Sequence, residues 1–286
     1  MATNQEIEDL ETRHQTFSDR QTSALVNFYT VFLKRAERPL YFGDADVSGG
    51  INEIYTVRTQ EDAQNLTQAQ RNRFISRLRN FYGSWYAVKI EKAIFQPLQM
   101  DLFEKADNEA DFQSRALTKQ LKTTFNKPSV PAVKRAFSNG TYLGNPYDNF
   151  VDQYRNITLN RLIDYTTQQI NQGATAADII AGIRSGPDAT VNYKQNITRL
   201  DTHIRTAAKH AETSALQATY AKNSNKVAGW RFFNPLDSKT SQICATTFTD
   251  LSNNGTKVWP IGQGPLPPLH FQCRSQSIPA FKRGVL

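Results

Sequence analysis

Cysteine, methionine and long apolar runs are scarce in this chain of 286 residues, which holds only two cysteines and two methionines. No stretch approaches about 18 consecutive apolar residues, so we expect no membrane span. The amino-terminal residues lack the basic and apolar regions of a signal peptide, and we therefore expect a protein made and used in the cytoplasm. Neither common glycine-rich phosphate-binding pattern occurs, which argues against a nucleotide site. Cys-x-x-Cys pairs are also absent.

The hydrophobic share of the chain, 39%, is low for one compact globule, and it favours long helices stabilised partly by other subunits. The formal net charge of +8 is unevenly distributed. Lysine and arginine balance aspartate and glutamate over 1–100, exceed them by 2 over 101–200, and exceed them by 6 over 201–286. A basic carboxyl-terminal part favours contact with nucleic acid or an acidic protein surface, and a solvated basic surface is the alternative.

Apolar spacing predicts a mainly α fold, with a long-helix N-terminal body and a small C-terminal mixed α/β cap. The helical N-terminal region covers 1–130, and a connector rich in proline and glycine spans 127–149. The domain beyond it covers 145–286, with helices over 148–222 and the small cap over 226–280. Strand candidates lie at 227–233, 258–259 and 274–278.

Individual helices begin and end at recognisable signals. The first is predicted over 4–37, before Pro39. Thr67 and Gln70 form a capping box for the next helix, which Pro97 ends or kinks. Its apolar seam must pack against another helix, and consists of Phe74, Leu78, Phe81, Trp85 and Val88. Further helices are predicted over 108–126, from 151 to Gly173, from Thr175 to the residue before Gly186, and over 191–222.

The most distinctive residues lie near the carboxyl terminus, in a loop-rich stretch that holds both cysteines. They are Trp230, Asp237, Thr240, Cys244, Pro267, Pro268, His270, Cys273 and Arg274. Asn234-Pro-Leu-Asp237 is typical of a turn, and we expect Asp237 to cap a short helix beginning near Ser238. Upstream, Glu212 is expected to bond to the strand backbone or to pair with Arg231 or Arg274.

The pattern Trp…Asp-x-x-Thr-x-x-x-Cys…Pro-Pro-x-His-x-x-Cys-Arg resembles the C-terminal signature of phage head morphogenesis proteins, the Mu F-like minor head family. The helix around Glu212 looks like the family's Arg-Thr-Glu-containing helix, with His210 where arginine usually stands. Residues 169–180 are similar to its helix–turn–helix connector, and the resemblance covers roughly 150–280. The chain departs from the family at Ser241 and Ser275, where members often have cysteine.

The resemblance implies a non-enzymatic structural protein of the virion, present in the host cytoplasm during assembly. Such minor head proteins associate with the portal in few copies and act in head assembly, DNA packaging or ejection. The implied partners are the portal protein, other head proteins and packaged DNA contacted through its backbone, in an oligomeric context. Two alternatives are a nucleic-acid-binding module that contacts the DNA backbone and, less favoured by the residues, an enzyme with a Cys/His site.

Cys244, His270 and Cys273 are residue types that zinc accepts, with Asp237 as a candidate fourth ligand of a structural site. The competing interpretations are a buried pair of reduced thiols and a disulfide, which would need an oxidising setting such as an exposed mature virion. A cysteine nucleophile with His270 as base is disfavoured because no second acid is placed to orient the histidine. No cofactor other than this zinc is expected.

Overall fold

A computed structural model describes residues 4–140, 143, 147–186 and 193–285, with side chains from residue 13 onward except at 148, 150, 193 and 194. It confirms the mainly α fold, which carries one small antiparallel sheet. The α-helices are α1 Asn4–Phe42, α2 Ile51–Ile54, α3 Gln60–Gln64, α4 Gln68–Trp85, α5 Gln96–Leu121, α6 Val130–Asn139, α7 Tyr147–Asn171, α8 Ala176–Ser185, α9 Tyr193–Lys222 and α10 Gln242–Thr246. Two π-helical stretches, Tyr86–Phe95 and Thr247–Leu251, and two strands, β1 Val227–Phe233 and β2 Gln276–Phe281, complete the described elements.

Helix α1 is longer than predicted because Pro39 lies inside its last turn. Proline has a helix-compatible φ, and at this end of the helix it removes one hydrogen bond without ending the helix. The helix ends where the Gly43 amide donates to the Pro39 carbonyl at 2.9 Å. Gly43 has a φ of +70°, a left-handed conformation that glycine adopts without steric cost.

The capping box at the start of α4 is confirmed, since Thr67 and Gln70 bond reciprocally. Of the two predicted effects of Pro97, an end of the helix was wrong, and so was the separate helix over 108–126. Helix α4 passes through the π-helical stretch Tyr86–Phe95 directly into α5. In the π-helical stretch the Gln96 amide bonds to the Glu91 carbonyl, five residues back. This wider turn accommodates Pro97, whose ring would clash with a backbone carbonyl in a regular α-helical turn.

The predicted connector over 127–149 contains a helix that sequence reasoning missed. Helix α6 follows Ser129 and has Pro131 in its first turn, where a missing amide hydrogen costs nothing. Two other breakers of the predicted connector, Gly144 and Pro146, lie outside the described residues. A proline such as Pro131 is typical both of a loop and of the first turn of a helix, so the sequence did not distinguish the two.

The end of α7 and both ends of α8 agree with prediction, whereas α7 begins four residues earlier than predicted. Helix α7 ends before Gly173, which has the left-handed φ of +81° expected of a cap. Thr175 caps α8 by accepting from the Asp178 amide, and the Asp178 side chain accepts from the Thr175 amide. Both of these caps stop or start a helix with local chemistry alone, which explains why the sequence was sufficient.

The small sheet pairs β1 with β2 in antiparallel register, from Val227 opposite Phe281 to Phe233 opposite Gln276. Strand β2 begins two residues later than predicted, at Gln276, because the chain leaves the turn at 270–273 only shortly before it. The third predicted strand, 258–259, is reduced to a single bridge between Trp259 and Trp230.

The chain forms two compact units. Unit 1 comprises Met1–Val26, Gln99–Tyr147 and Thr202–Leu286, and unit 2 comprises Asn27–Leu98 and Asp148–Asp201. Both units draw on both sides of the predicted connector, so they do not coincide with the regions 1–130 and 145–286. The core of unit 1 groups apolar side chains of α5, α9 and the cap, including Leu117, Leu216, Trp230 and Phe232.

Unit 2 is held by aromatic side chains that also make polar contacts. The Trp85 indole donates to the Ala36 carbonyl at 3.0 Å, and the Tyr82 hydroxyl lies 2.7 Å from that of Thr166. Leu78, Phe81 and Trp85 of the predicted seam are buried, as a packed helix face requires.

In the part of the chain that the structure describes, every helix is too short or too polar to cross a lipid bilayer.

Candidate functional site

The cap is organised around Trp230 in the middle of β1. Its side chain is 0% exposed, and its indole donates to the Gln263 carbonyl at 2.9 Å. Its backbone amide and carbonyl bond to those of Trp259 at 2.9 and 2.8 Å. Trp230 therefore ties β1 to the loop that leads to Pro267 and Pro268, which are buried and joined by a cis peptide bond.

Asp237 and Thr240 close the turn that follows β1. The Asp237 carboxylate accepts from the Lys239 amide at 2.9 Å, and the Thr240 hydroxyl accepts from the Asp237 amide at 3.0 Å. Arg274 donates two hydrogen bonds to the same carboxylate, one of them at 2.8 Å. Hydrogen bonding from Arg274 holds the pKa of Asp237 well below its usual range.

The prediction that Asp237 caps a helix near Ser238 was wrong. The helix in question, α10, begins at Gln242, and its cap is Ser241, whose hydroxyl accepts from the Cys244 amide at 3.4 Å. The Asp237 carboxylate is occupied by the turn and by Arg274. Asp237, the candidate fourth zinc ligand, is therefore not part of the group formed by Cys244, His270 and Cys273.

Cys244, His270 and Cys273 converge, and we call these three residues the cap cluster. The two sulfur atoms are 3.6 Å apart, and His270 Nε2 lies 3.1 Å from Cys244 Sγ. Cys244 comes from α10, whereas His270 and Cys273 come from one turn in which the Cys273 amide donates to the His270 carbonyl at 3.3 Å. Both cysteines are buried and unbridged.

The two thiols of the cap cluster are not equivalent. The hydrogen bond from Cys244 lowers the pKa of Cys273 to about 5. The same bond, together with burial, raises the pKa of Cys244. The contact between the two sulfurs therefore favours ionisation at Cys273 over ionisation at Cys244.

The donor set of the cap cluster fits three of the four ligands of a zinc site. In tetrahedral coordination two zinc-bound sulfurs are about 3.8 Å apart, and a sulfur and a nitrogen about 3.6 Å apart. The three donor atoms of the cap cluster all lie within 4.8 Å of one another. Among the described residues no fourth Cys, His, Asp or Glu joins this group, whereas a structural zinc site normally has four such ligands.

Glu212 lies on α9 and is 2% exposed. The expectation that it pairs with Arg231 or Arg274 was wrong. Its carboxylate accepts from Lys209 at 2.5 Å and from the Ser18 hydroxyl at 2.7 Å. Burial opposes its ionisation, but the positive charges of Lys209 and of its other neighbours outweigh burial and lower the pKa of Glu212 to about 2.

Glu212 belongs to a larger buried network, which we call the charged cluster. Lys105 donates to Ser18 at 2.9 Å and to Glu109 at 2.5 Å, and Glu109 lies 2.6 Å from the His14 imidazole. Burial opposes ionisation of Glu109, but the hydrogen bond and charge of His14 and the charge of Lys105 lower its pKa. The members of the charged cluster are His14, Ser18, Lys105, Glu109, Lys209 and Glu212.

Sequence reasoning missed the charged cluster as a site. Neither Lys105 nor Glu109 belongs to a motif that marks it in the sequence. One local signal was present, because a lysine and a glutamate four residues apart on α5 face the same side of the helix. The signal did not reveal burial, since exposed pairs have the same spacing.

A cavity of about 540 Å³ opens beside both clusters. Ser18, Lys209 and Glu212 line it on one side, and Cys273 and Arg274 on another. Cys244 and His270 are not among its lining residues. Of the three side chains of the cap cluster, only that of Cys273 therefore lines this cavity.

A comparison of the chain with family models, curated proteins and solved structures finds no match.

Proposed function

We propose that this chain is a non-enzymatic structural protein of a tailed-phage head, associated with the portal and acting in head assembly, DNA packaging or ejection. One observation carries the proposal. The carboxyl-terminal motif on which the resemblance to Mu F-like minor head proteins mainly rests lies in the cap, where Asp237 bonds to Thr240 and Arg274, and Cys244 bonds to His270 and Cys273. Their shared task in the fold is to hold the shape of the cap.

The contacts of the cap support this assignment step by step. Arg274 spans from the second half of the motif to Asp237 in the first half. Cys273 meets Cys244 in the same way, at 3.6 Å. Trp230 fastens the loop between the two halves through Gln263. Motif residues that bond to one another stabilise a local structure, and this suits a protein that docks onto others better than an enzyme that must contact a substrate.

The arrangement of the cavity also favours a structural role over cysteine catalysis. A nucleophilic cysteine needs its base within reach and substrate access to both. Here the imidazole lies against Cys244, while the cavity reaches only Cys273. On this proposal the protein resides in the virion and, during assembly, in the host cytoplasm, with the portal and other head proteins as partners.

Quantitative mass spectrometry of purified particles and assembly intermediates tests the proposal. Peptides of the chain should be present in heads at a few copies per portal ring. Absence from both particles and intermediates would overturn the assignment, whatever the biochemical properties of the purified protein.

DNA-backbone contact is the second candidate function, favoured by the surplus of 6 positive charges over residues 201–286. Binding of this kind is insensitive to sequence and falls steeply with salt. Titration of a random DNA duplex at several salt concentrations tests it, and loss of binding near physiological salt would remove this candidate without touching the head assignment.

A further inference from the structure

A second cavity of unit 1 lies between α6 and α9, on residues that the motif does not include. It has a volume of about 700 Å³ and is open to solvent along one side. We call it the α6–α9 groove. Its walls carry alanines from both helices, Ala132 and Ala136 on α6 and Ala218 and Ala221 on α9. Alanines spaced three and four residues apart place small side chains on one face of each helix.

Positive charge surrounds these small apolar walls. Lys127, Arg135 and Lys222 line the α6–α9 groove, and none of its described lining residues is acidic. Lys127 is neutralised by Asp107 at 2.7 Å. Arg135 and Lys222 are exposed and form no ion pair with any residue that the structure describes. The groove therefore presents two uncompensated cations above an apolar floor.

A buried amide adds a second, independent feature. Gln217 lines the groove and is only 7% exposed. Its Oε1 accepts from the Gly262 amide at 2.9 Å, whereas its Nε2 has no acceptor among the described residues. A buried amide donor without a partner is unfavourable, so an acceptor that it could reach would bring a gain.

We propose that the α6–α9 groove binds an acidic helical segment of a partner protein. Small side chains on two neighbouring helices leave a furrow into which the ridge of a third helix packs. Carboxylates on that helix would meet Arg135 and Lys222, and one of them would accept from Gln217 Nε2 once that amide turns toward the groove. Nucleic acid is the poorer occupant, because a phosphate backbone gains nothing from alanine walls.

The test uses full-length protein and a fluorescein-labelled amphipathic helix of about 18 residues composed of Glu, Ala and Leu. Fluorescence anisotropy should show saturable binding of this peptide. A peptide with Lys in place of every Glu should not bind. The double variant Arg135→Glu with Lys222→Glu should weaken binding of the acidic peptide by about tenfold or more.

Two further variants keep the test decisive. Ala221→Trp fills the groove without changing charge, and it should weaken binding similarly. Lys34→Glu with Arg35→Glu makes the same charge change on the exposed side of α1 in unit 2, and it should leave affinity within about twofold. Thermal unfolding confirms that each variant is folded.

Several outcomes would overturn the inference. They are no binding of the acidic peptide to the unmodified chain, equal binding of the basic peptide, or affinity unchanged in both groove variants. Competition by a short random DNA duplex that is itself lost in the groove variants would assign the groove to nucleic acid instead. The test is independent of the head assignment, because presence in particles is measured separately.

Discussion

The cap cluster and the charged cluster are both buried and polar, yet they differ in how far apart their members lie along the chain. The cap cluster joins Cys244 to a turn at 270–273, within one short stretch. The charged cluster joins α1, α5 and α9, and Ser18 meets Glu212 across 194 positions. Distance along the chain therefore decides which of two buried polar sites a motif can reveal.

The clusters also differ in what their burial costs. The cap cluster holds two thiols in a largely apolar setting, where one proton more or less is the only charge at stake. The charged cluster holds two lysines and two glutamates away from water, and each charge relies on an opposite one. Removing one partner of a buried pair leaves a charge without compensation, which is far more costly than removing both. We therefore expect the charged cluster to contribute more than the cap cluster to the free energy of unfolding.

The largest effect is expected from Glu109→Ala. It leaves Lys105 buried without its carboxylate, and unfolding in urea should show a loss of about 3–5 kcal/mol. Asp111→Ala is a matched control on the same helix, because Asp111 forms an exposed pair with Arg115 at the same spacing. That variant should lose no more than about 1 kcal/mol. Equal losses in both variants would contradict the distinction between buried and exposed pairs.

Acid should weaken the charged cluster in a defined pH window. The pKa of Glu212 is lowered from 4.5 to about 2 in the folded chain. Its ionisation therefore contributes stability that is fully present above pH 4.5 and is lost as the pH falls through about 2. Urea unfolding between neutral pH and this range should show a steeper decline for the unmodified chain than for Glu212→Gln. Parallel curves would show that Glu212 does not carry the effect.

Local chemistry was predictable from the sequence, and the residues show why. The capping boxes at Thr67 and Thr175 and the left-handed Gly173 need only their immediate neighbours. The bounds of strand β1 were predicted correctly, since turn-forming residues lie on either side of its apolar residues. The meeting of the two cysteines with His270 was also anticipated, because these residues lie close together in the sequence.

Tertiary choices were not predictable in the same way. Pro97 was predicted to end or kink a helix, but α4, the π-helical stretch and α5 continue through it without a break. One predicted partner of Glu212 was an arginine of the cap. Its observed partners are Lys209, one turn away on the same helix, and Ser18 of α1. Nothing in the sequence near Glu212 specifies that α1 packs there, and the long-range choice of partner depends on the whole fold.

The cap cluster should respond moderately to loss of a thiol. Cys273→Ala removes from a packed core the sulfur that contacts Cys244, and it should cost about 1–2 kcal/mol. We expect reduced thiols without metal, so a chelator should leave the melting temperature of the unmodified chain unchanged, and the native mass should equal that of the bare chain. A mass increase equal to one zinc, with a chelator-sensitive melting temperature, would instead establish a structural metal.

The smallest effect is expected where the motif is most exposed. Asp237 and Arg274 form a two-bond pair at the surface, so solvent and salt screen their attraction. Asp237→Asn should lower the melting temperature slightly at low salt and less at high salt. Asp250→Asn makes the same charge change near a threonine hydroxyl instead of a guanidinium, and it should show no such salt dependence. A loss that persists at high salt and exceeds that of Cys273→Ala would mean that the turn at Asp237, not the thiol pair, determines the shape of the cap.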